Sequence, residues 1–166
     1  VENRRQSFTD ESEINRARRT ISDRCKAAAK WGAGIYRLNI PTGGGKTLAA
    51  LRYALATAAE HEKQRIIFVI PLLSILDQNA KVIREYLDDD KLILEHHSNV
   101  IQEKSGDKLD ENELLMETWA APVVITTLVQ LLNTLLSGKP SCIRRIAALR
   151  DSVIVIDEVQ SVPRTM

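Results

Sequence analysis

The stretch that decides the fold reads LNIPTGGGKTL and spans residues 38–48. An apolar run over residues 34–40 leads into it and predicts a buried strand, and residues 48–56 after it predict a helix. Glycines allow the loop between them to adopt positive φ angles, so that backbone amides and the free N–H groups of the helix can surround an anion. The sequence therefore predicts a phosphate-binding loop between a strand and a helix.

Six consecutive residues form the predicted phosphate site, and they are Thr42, Gly43, Gly44, Gly45, Lys46 and Thr47. Lys46 can reach the β- and γ-phosphates of ATP, and the Thr47 hydroxyl can hold Mg²⁺. The strict form of the pattern begins with a glycine where Ile40 stands here. A chance glycine turn before a helix is the alternative interpretation.

A second candidate motif follows the last apolar run of the chain. Residues 153–156 are all apolar, and Asp157 and Glu158 come directly after them. The strand would fix Asp157 at its carboxyl end, where it can bind Mg²⁺, and Glu158 could orient and activate the attacking water. An ordinary strand end is the alternative for this pattern alone. Together with the phosphate loop, it predicts a nucleotide site with Lys46 and Glu158 as catalytic residues.

Alternating strand and helix patterns predict an α/β fold, with a parallel sheet that carries helices on both faces. Predicted strands cover residues 64–71, 92–94, 122–127 and 152–156, and predicted helices cover 72–87, 113–119 and 128–136. The polar stretch that ends near residue 112 reads as an exposed loop. Residues 1–34 form a leading segment with a helix from about 10 to 31, and residues 35–166 form the nucleotide-binding lobe. One face of the leading helix is apolar, with Ile14, Ala17, Ile21 and Cys25, and is expected to pack against the protein. The opposite face is cationic, with Arg16, Arg18, Arg19 and Arg24. This cationic face could lie near a nucleotide or nucleic-acid site, or it could simply be solvated.

Composition places the chain among soluble globular proteins. Its 166 residues are 44% hydrophobic and 27% charged, and the net charge of +1 gives no global signal for nucleic acid. Cys25 and Cys142 lie far apart without metal-ligand spacing, which fits free thiols in a reducing cytosol. No transmembrane segment or signal peptide is visible, so no membrane partner is expected. The start at Val1 and the end soon after Glu158 suggest a piece of a larger protein.

Several segments resemble superfamily 2 helicases. PTGGGKT at 41–47 and DEVQ at 157–160 look like motifs I and II, and residues 65–79, 94–99 and 124–132 resemble the segments between them. The combination is similar to the CRISPR-associated effector helicase–nucleases of type I systems. The resemblance implies a first RecA-like lobe of an ATP-dependent motor that moves on single-stranded DNA. It also implies a CRISPR surveillance complex as partner and a prokaryotic cytoplasmic location.

The same resemblance implies contacts to the DNA backbone. They would be made by residues at two strand ends, namely Pro71, Ser74, Gln78, Thr126 and Thr127. Hydroxyls and amides at strand ends can also be helix caps, and that alternative stays open. Gln160 stands where many relatives of that family carry histidine.

Three further expectations concern chemistry beyond the nucleotide site. His96 and His97 are not expected to form a metal centre, because no acid or cysteine stands at a convincing ligand spacing. In the resembling family an arginine from a second lobe completes the transition-state site, so this chain alone is expected to hydrolyse ATP poorly. The competing readings are another P-loop ATPase, and a nucleotide-binding interaction fragment without turnover of its own.

Overall fold

A sheet of four parallel strands forms the centre of the molecule. The computed structural model of the chain describes residues 12–97 and 113–161. The strands are β1 (Arg65–Ile70), β2 (Ile93–His96), β3 (Val123–Thr127) and β4 (Ser152–Ile156), in the spatial order β2-β3-β1-β4. All three strand pairings are parallel, which confirms the predicted α/β class. The exposed loop predicted up to residue 112 falls mostly outside the described residues.

Six helices accompany the sheet in the described part of the chain. They are α1 (Glu13–Ala28), α2 (Lys46–Glu60), α3 (Leu73–Leu87), α4 (residues 113–118), α5 (Leu128–Leu136) and α6 (Pro140–Leu149). Short 3-10 turns cover Asp90–Leu92 and Val159–Ser161. Helix α6 was not predicted, because Pro140 was interpreted only as a helix breaker. Proline is tolerated in the first turn of a helix, where its missing N–H would have no intrahelical partner, and Pro140 lies there.

Helices cover both faces of the sheet because strand β1 is apolar on both sides. Alternate residues of β1, including Phe68 and Ile70, pack with Leu51 of α2 and Leu76 of α3 in one cluster of buried side chains. The intervening residues Ile67 and Val69 join a second cluster on the other face, which contains Trp119, Leu131 and Ala148. Burying each large side chain contributes roughly 1.5–3 kcal/mol. A strand buried on both faces reads as a continuous apolar run, as residues 66–70 do.

The strand predicted over residues 34–40 is not observed. These residues have no strand assignment, none of the described sheet pairings includes them, and Ile35 and Leu38 are exposed. Tyr36 donates a hydrogen bond from its hydroxyl to the Gly32 carbonyl (2.7 Å), and its ring contacts Tyr53 of α2. Residues 34–40 therefore lie against α2 through Tyr36, and no described strand pairs with them, as a buried strand would require.

Helix α1 confirms the leading helix but differs in the face that it buries. Of the four apolar residues expected on the packed face, Cys25 is buried, whereas Ile14 is exposed. The buried guanidinium of Arg52 on α2 attaches α1 by hydrogen bonds to Ser22 Oγ (3.1 Å) and Asp23 Oδ1 (2.7 Å). The boundary at residue 34 between leading segment and lobe stays a prediction.

Two smaller expectations concern the cysteines and the membrane. Cys25 and Cys142 are both buried free thiols, as expected. None of the described helices combines the length and the apolar character that crossing a membrane requires.

A buried imidazole–indole pair lies at the end of strand β2. His96 Nδ1 accepts a hydrogen bond from Trp119 Nε1 (2.9 Å), and the Trp119 side chain is completely buried. Burial and, to a smaller extent, the nearby charges of Arg145 and His97 together lower the pKa of His96 to about 4. Because the acceptor nitrogen must be unprotonated, the pair requires neutral His96.

We expect this pair to make the fold sensitive to acid. Between the ordinary histidine pKa of about 6.5 and the folded value of about 4, the unfolded chain binds a proton that the folded chain does not. The free energy of unfolding should therefore fall as the pH is lowered through this window. Urea unfolding at several pH values measures the fall, which should be smaller in His96→Gln. An NMR titration that gives His96 a pKa above 6.5 in the folded protein would contradict the assignment.

Candidate nucleotide site

The two predicted motifs meet at the carboxyl edge of the sheet. Lys46, at the start of α2, contacts both carboxylates that follow β4. Its Nζ lies 3.3 Å from Asp157 Oδ1 and forms a close ion pair with Glu158 Oε1. The Asp157 amide donates to the Val69 carbonyl (2.9 Å), which extends the β1–β4 pairing by one residue. Strand pairing therefore places the acid pair directly against the glycine loop.

The loop has the shape that its glycines predict. Gly43 and Gly45 adopt φ angles of 80° and 79°, in the left-handed region that favours glycine. Gly44 is required for a different reason, since a Cβ there would lie 2.5 Å from Ile40 Cγ2 and 2.9 Å from the Pro41 carbonyl oxygen. Gly45 is also the N-cap of α2, so the free N–H groups of the first helical turn follow the loop directly.

Arg18 of α1 contacts the glycine loop. Its Nε and Nη2 both donate to the Gly43 carbonyl, at 2.9 and 2.7 Å. The sequence left open whether the cationic face of α1 lies near a ligand site or is simply solvated. Arg18 shows that part of this face contacts the candidate site, and its guanidinium orients the Gly43 peptide.

Glu158 combines an unusual backbone with two side-chain partners. Its φ angle is 48°, a conformation that is uncommon for residues other than glycine and that often occurs at functional sites. Its carboxylate accepts hydrogen bonds from Lys46 and from Gln160 Nε2. The hydrogen bond from Lys46 lowers the pKa of Glu158, and the same bond raises the pKa of Lys46. Both groups are therefore charged near neutral pH.

Asn79 is a site residue that the sequence analysis did not identify. Its amide lies between the two predicted magnesium ligands: Thr47 Oγ1 is 3.1 Å from Asn79 Oδ1, and Asn79 Nδ2 is 3.0 Å from Asp157 Oδ2. Asp157 Oδ1 accepts instead from the Glu158 amide (2.9 Å). The sequence offered one signal for Asn79, a polar residue at a buried position of an amphipathic helix directly after a strand.

The residues of the site fit a nucleotide and a magnesium ion. The Thr47 hydroxyl and the Asp157 carboxylate supply the oxygen ligands that Mg²⁺ prefers. The glycine loop, the helix start and Lys46 supply the amides and the cation that phosphate groups bind.

Comparison with known proteins agrees with this arrangement. The family model described as DEAD/DEAH box helicase matches residues 21–164. The chain belongs to the DEAD/DEAH box helicases. Its similarity to a CRISPR-associated nuclease/helicase Cas3 from Haloferax volcanii is 26% identity, over 95% of this chain and 19% of that protein. The resemblance to superfamily 2 helicases is thereby confirmed.

Solved structures show the same fold for this DEAD/DEAH box helicase chain. The crystal structure of T. fusca Cas3-AMPPNP matches with a TM-score of 0.71 at 23% identity, over 94% of this chain and 19% of that one. The crystal structure of T. fusca Cas3 matches with a TM-score of 0.66 at 20% identity, over 93% of this chain and 19% of that one. The chain thus spans about a fifth of the length of these relatives.

The residues implied in DNA contact fall into two groups in this helicase chain. Ser74 and Gln78 are exposed on α3, and Pro71 before them is partly exposed. Thr126 is completely buried, and its hydroxyl donates to the His96 carbonyl (2.8 Å), which argues against a direct contact with DNA. Thr127 is the N-cap of α5, where its hydroxyl accepts from the Gln130 amide (3.3 Å). The helix-cap alternative is therefore confirmed for Thr127.

The fold also brings Asp77 beside Glu95 and His97, which the sequence spacing did not suggest. Ligand atoms of Asp77, Glu95 and His97 all lie within 4.8 Å of one another. Arg84 already donates to Glu95 Oε1 from Nε (2.9 Å) and Nη2 (2.6 Å), so this carboxylate has a cation partner. Asp77 is distant from His97 in sequence, so spacing alone could not reveal this contact. The expectation that His96 and His97 form no metal centre stays a prediction.

We expect Gly44→Ala to weaken ATP binding about tenfold or more. The new Cβ would overlap Ile40 and Pro41, so the loop would have to deform. Over-packing of this kind costs about 1–3 kcal/mol, which corresponds to a loss of about tenfold or more in affinity. Gly32→Ala is the control, because a Cβ there meets nothing within 4 Å. Isothermal titration with ATP measures both variants. Equal affinity in Gly44→Ala and Gly32→Ala would contradict the proposed loop geometry.

Proposed function

We propose that this chain is the ATP-binding, RecA-like first motor lobe of an ATP-dependent DNA helicase or translocase of CRISPR interference, an antiviral defence. In this proposal Mg²⁺-ATP hydrolysis is coupled to movement on single-stranded DNA. The observation that carries it is the convergence of Lys46, Thr47, Asp157 and Glu158 at one sheet edge. Membership in the DEAD/DEAH box helicases and the similarity to Cas3 support it.

The glycine loop and Lys46 would bind the phosphates. Thr42 and the three glycines present backbone amides, and Lys46 would turn from the carboxylates toward the β- and γ-phosphates. Arg18 would keep the loop in its binding shape, since two hydrogen bonds from its guanidinium fix the Gly43 carbonyl.

Thr47 and Asp157 would hold the magnesium ion. When bound, the ion would neutralise charge on the phosphates. Glu158 would then orient and deprotonate the attacking water, and Gln160 would position that carboxylate. An arginine from a second lobe would complete the site, so turnover by this chain alone should be low.

Single-stranded DNA would lie along the carboxyl edge of the sheet. Ser74 and Gln78 are the exposed candidates for phosphate contacts, with Pro71 beside them. The partner at the level of the whole protein would be a CRISPR surveillance complex, in the prokaryotic cytoplasm.

The second candidate function is a nucleotide-binding fragment without turnover of its own. It would use the same Lys46 and glycine loop, so binding alone does not separate it from the motor lobe. ATPase assays with and without single-stranded DNA do separate them, in this chain and in a longer chain that carries both lobes. DNA-stimulated hydrolysis in the longer chain supports the motor, and ATP binding without hydrolysis in both supports the fragment.

We expect Lys46→Ala to weaken ATP binding about tenfold or more, because it removes a charged phosphate donor worth about 1.5–3 kcal/mol. The fold should persist, since Lys46 is partly exposed. Lys63→Ala is a matched control, because both lysine side chains are 33% exposed and Lys63 also pairs with an aspartate, Asp151, at 3.7 Å. Titration with ATP and thermal unfolding measure both variants. Unchanged ATP affinity in Lys46→Ala would reject the site.

The two carboxylates should have different roles. In a chain with both lobes, Glu158→Gln should retain Mg²⁺-ATP binding and lose hydrolysis by about 10²-fold or more, because a general base is removed. Asp157→Asn should instead raise the Mg²⁺ concentration that half-saturates the ATPase reaction. The control is Glu117→Gln, which changes a partly exposed carboxylate that pairs with Arg144 of α6. Unchanged turnover in Glu158→Gln would reverse or reject these roles.

A further inference from the structure

We infer that Asn79 is a positioning residue for magnesium: its side-chain amide orients Thr47 and Asp157 so that both present oxygen lone pairs to one ion. The inference deepens the proposed nucleotide site and rests on it. Asn79 itself does not bind the ion in this inference. It acts through Thr47 and Asp157, which would bind the ion directly.

The first observation is the position of the amide. Asn79 contacts Thr47 on one side (3.1 Å) and Asp157 on the other (3.0 Å), and it is only 8% exposed. These two residues belong to motifs more than a hundred positions apart in sequence. The Asn79 side chain therefore links the start of α2 to the end of β4 through α3.

The second step fixes the orientation of the amide. A carboxylate only accepts hydrogen bonds, so the NH₂ group of Asn79 must face Asp157. The carbonyl oxygen then faces Thr47, and the Thr47 hydroxyl must donate its hydrogen to it. The reverse orientation would place the Asn79 oxygen against a carboxylate oxygen, and the two acceptors would repel each other.

This orientation leaves the right atoms for a cation. With its hydrogen directed to Asn79, the Thr47 oxygen keeps its lone pairs for a metal. Asp157 is held at Oδ2 by Asn79 and at Oδ1 by the Glu158 amide, so the plane of its carboxylate is fixed. Partners that orient metal ligands in this way typically contribute 10- to 100-fold to metal affinity.

A further observation is that packed neighbours on α3 hold Asn79 in place. Asn79 lies on α3 between Leu76, Ala80 and Ile83, all of which are buried against the sheet. Its neighbour Gln78 is exposed and is a candidate DNA contact. A single helix therefore presents one side chain to the magnesium ligands and the next to the proposed DNA path.

The test measures the contribution of magnesium to nucleotide affinity. ATP affinity of the full 166-residue chain is titrated in excess Mg²⁺ and in EDTA, for the parent, Asn79→Ala and Asn79→Leu. We expect both variants to lose about tenfold of the affinity gain that Mg²⁺ provides. Affinity in EDTA should be unchanged, because Lys46 and the loop amides are not altered. Asn79→Leu keeps the approximate volume of the side chain and limits loss of packing.

Three further variants separate the possible explanations. Ile83→Val loosens the packing of the same helix but leaves the Asn79 amide in place. This variant should retain the full gain in ATP affinity that Mg²⁺ provides. Thr47→Ala removes one of the two groups that Asn79 orients, so adding Asn79→Ala to it should cost less than in the parent. Lys46→Ala should lower affinity in EDTA and in Mg²⁺ alike, and its failure to do so would reject the nucleotide site itself.

Three results would overturn the inference while leaving the nucleotide site intact. One is that both Asn79 variants keep the full gain in ATP affinity that Mg²⁺ provides. Another is an equal loss of affinity in EDTA and in Mg²⁺, which would make Asn79 a general support of the pocket. The last is loss of the fold in both Asn79 variants while Ile83→Val stays folded, which would make the amide structural.

Discussion

The parallel pairing of β4 with β1 is the constraint on which the candidate site depends. In this register Val69 lies opposite Ile156, and the Asp157 amide then bonds to the Val69 carbonyl at 2.9 Å. A shift by one residue would turn the acid pair to the other face of the sheet. Val153 and Val155 of β4 pack against the cluster on one face, whereas Ile154 and Ile156 are exposed. Such a shift would force the larger isoleucines into the space of the valines, and over-packing of this kind is destabilising. The packing of the core therefore fixes where Asp157 and Glu158 lie.

Patterns that depend on local sequence were predictable in this chain. The glycine loop, the apolar run of β1 and the acid pair each specify their own conformation, so Lys46, Thr47, Asp157 and Glu158 could be named before the structure. The rule that parallel strands present ligand sites at their carboxyl ends then brought them together. The two-sided burial of β1 followed from the same reasoning, because five consecutive apolar residues cannot alternate with solvent.

Features that depend on contacts between distant residues were not predictable in the same way. Residues 34–40 have the composition of a strand, but a strand exists only where a partner strand pairs with it. Arg18 and Asn79 are ordinary residues of two amphipathic helices, and only the fold brings one to Gly43 and the other to Asp157. Thr126 was assigned to DNA from its place in a motif, whereas burial directs its hydroxyl to His96.

The contacts of the site divide into an exchangeable part and a fixed part. Lys46 and Glu158 are partly exposed, and ion pairs in such positions contribute only about 0–1 kcal/mol. A phosphate group could therefore replace Glu158 as the partner of Lys46 at little cost. That exchange would release Glu158, whose uncommon backbone conformation holds it at the mouth of the site. The amide of Asn79 is buried, and losing its partners would leave polar groups unsatisfied at about 1–3 kcal/mol each. In the proposed mechanism, Thr47 and Asp157 would stay in place for magnesium while Lys46 and Glu158 change partners, which is the order that binding before hydrolysis requires.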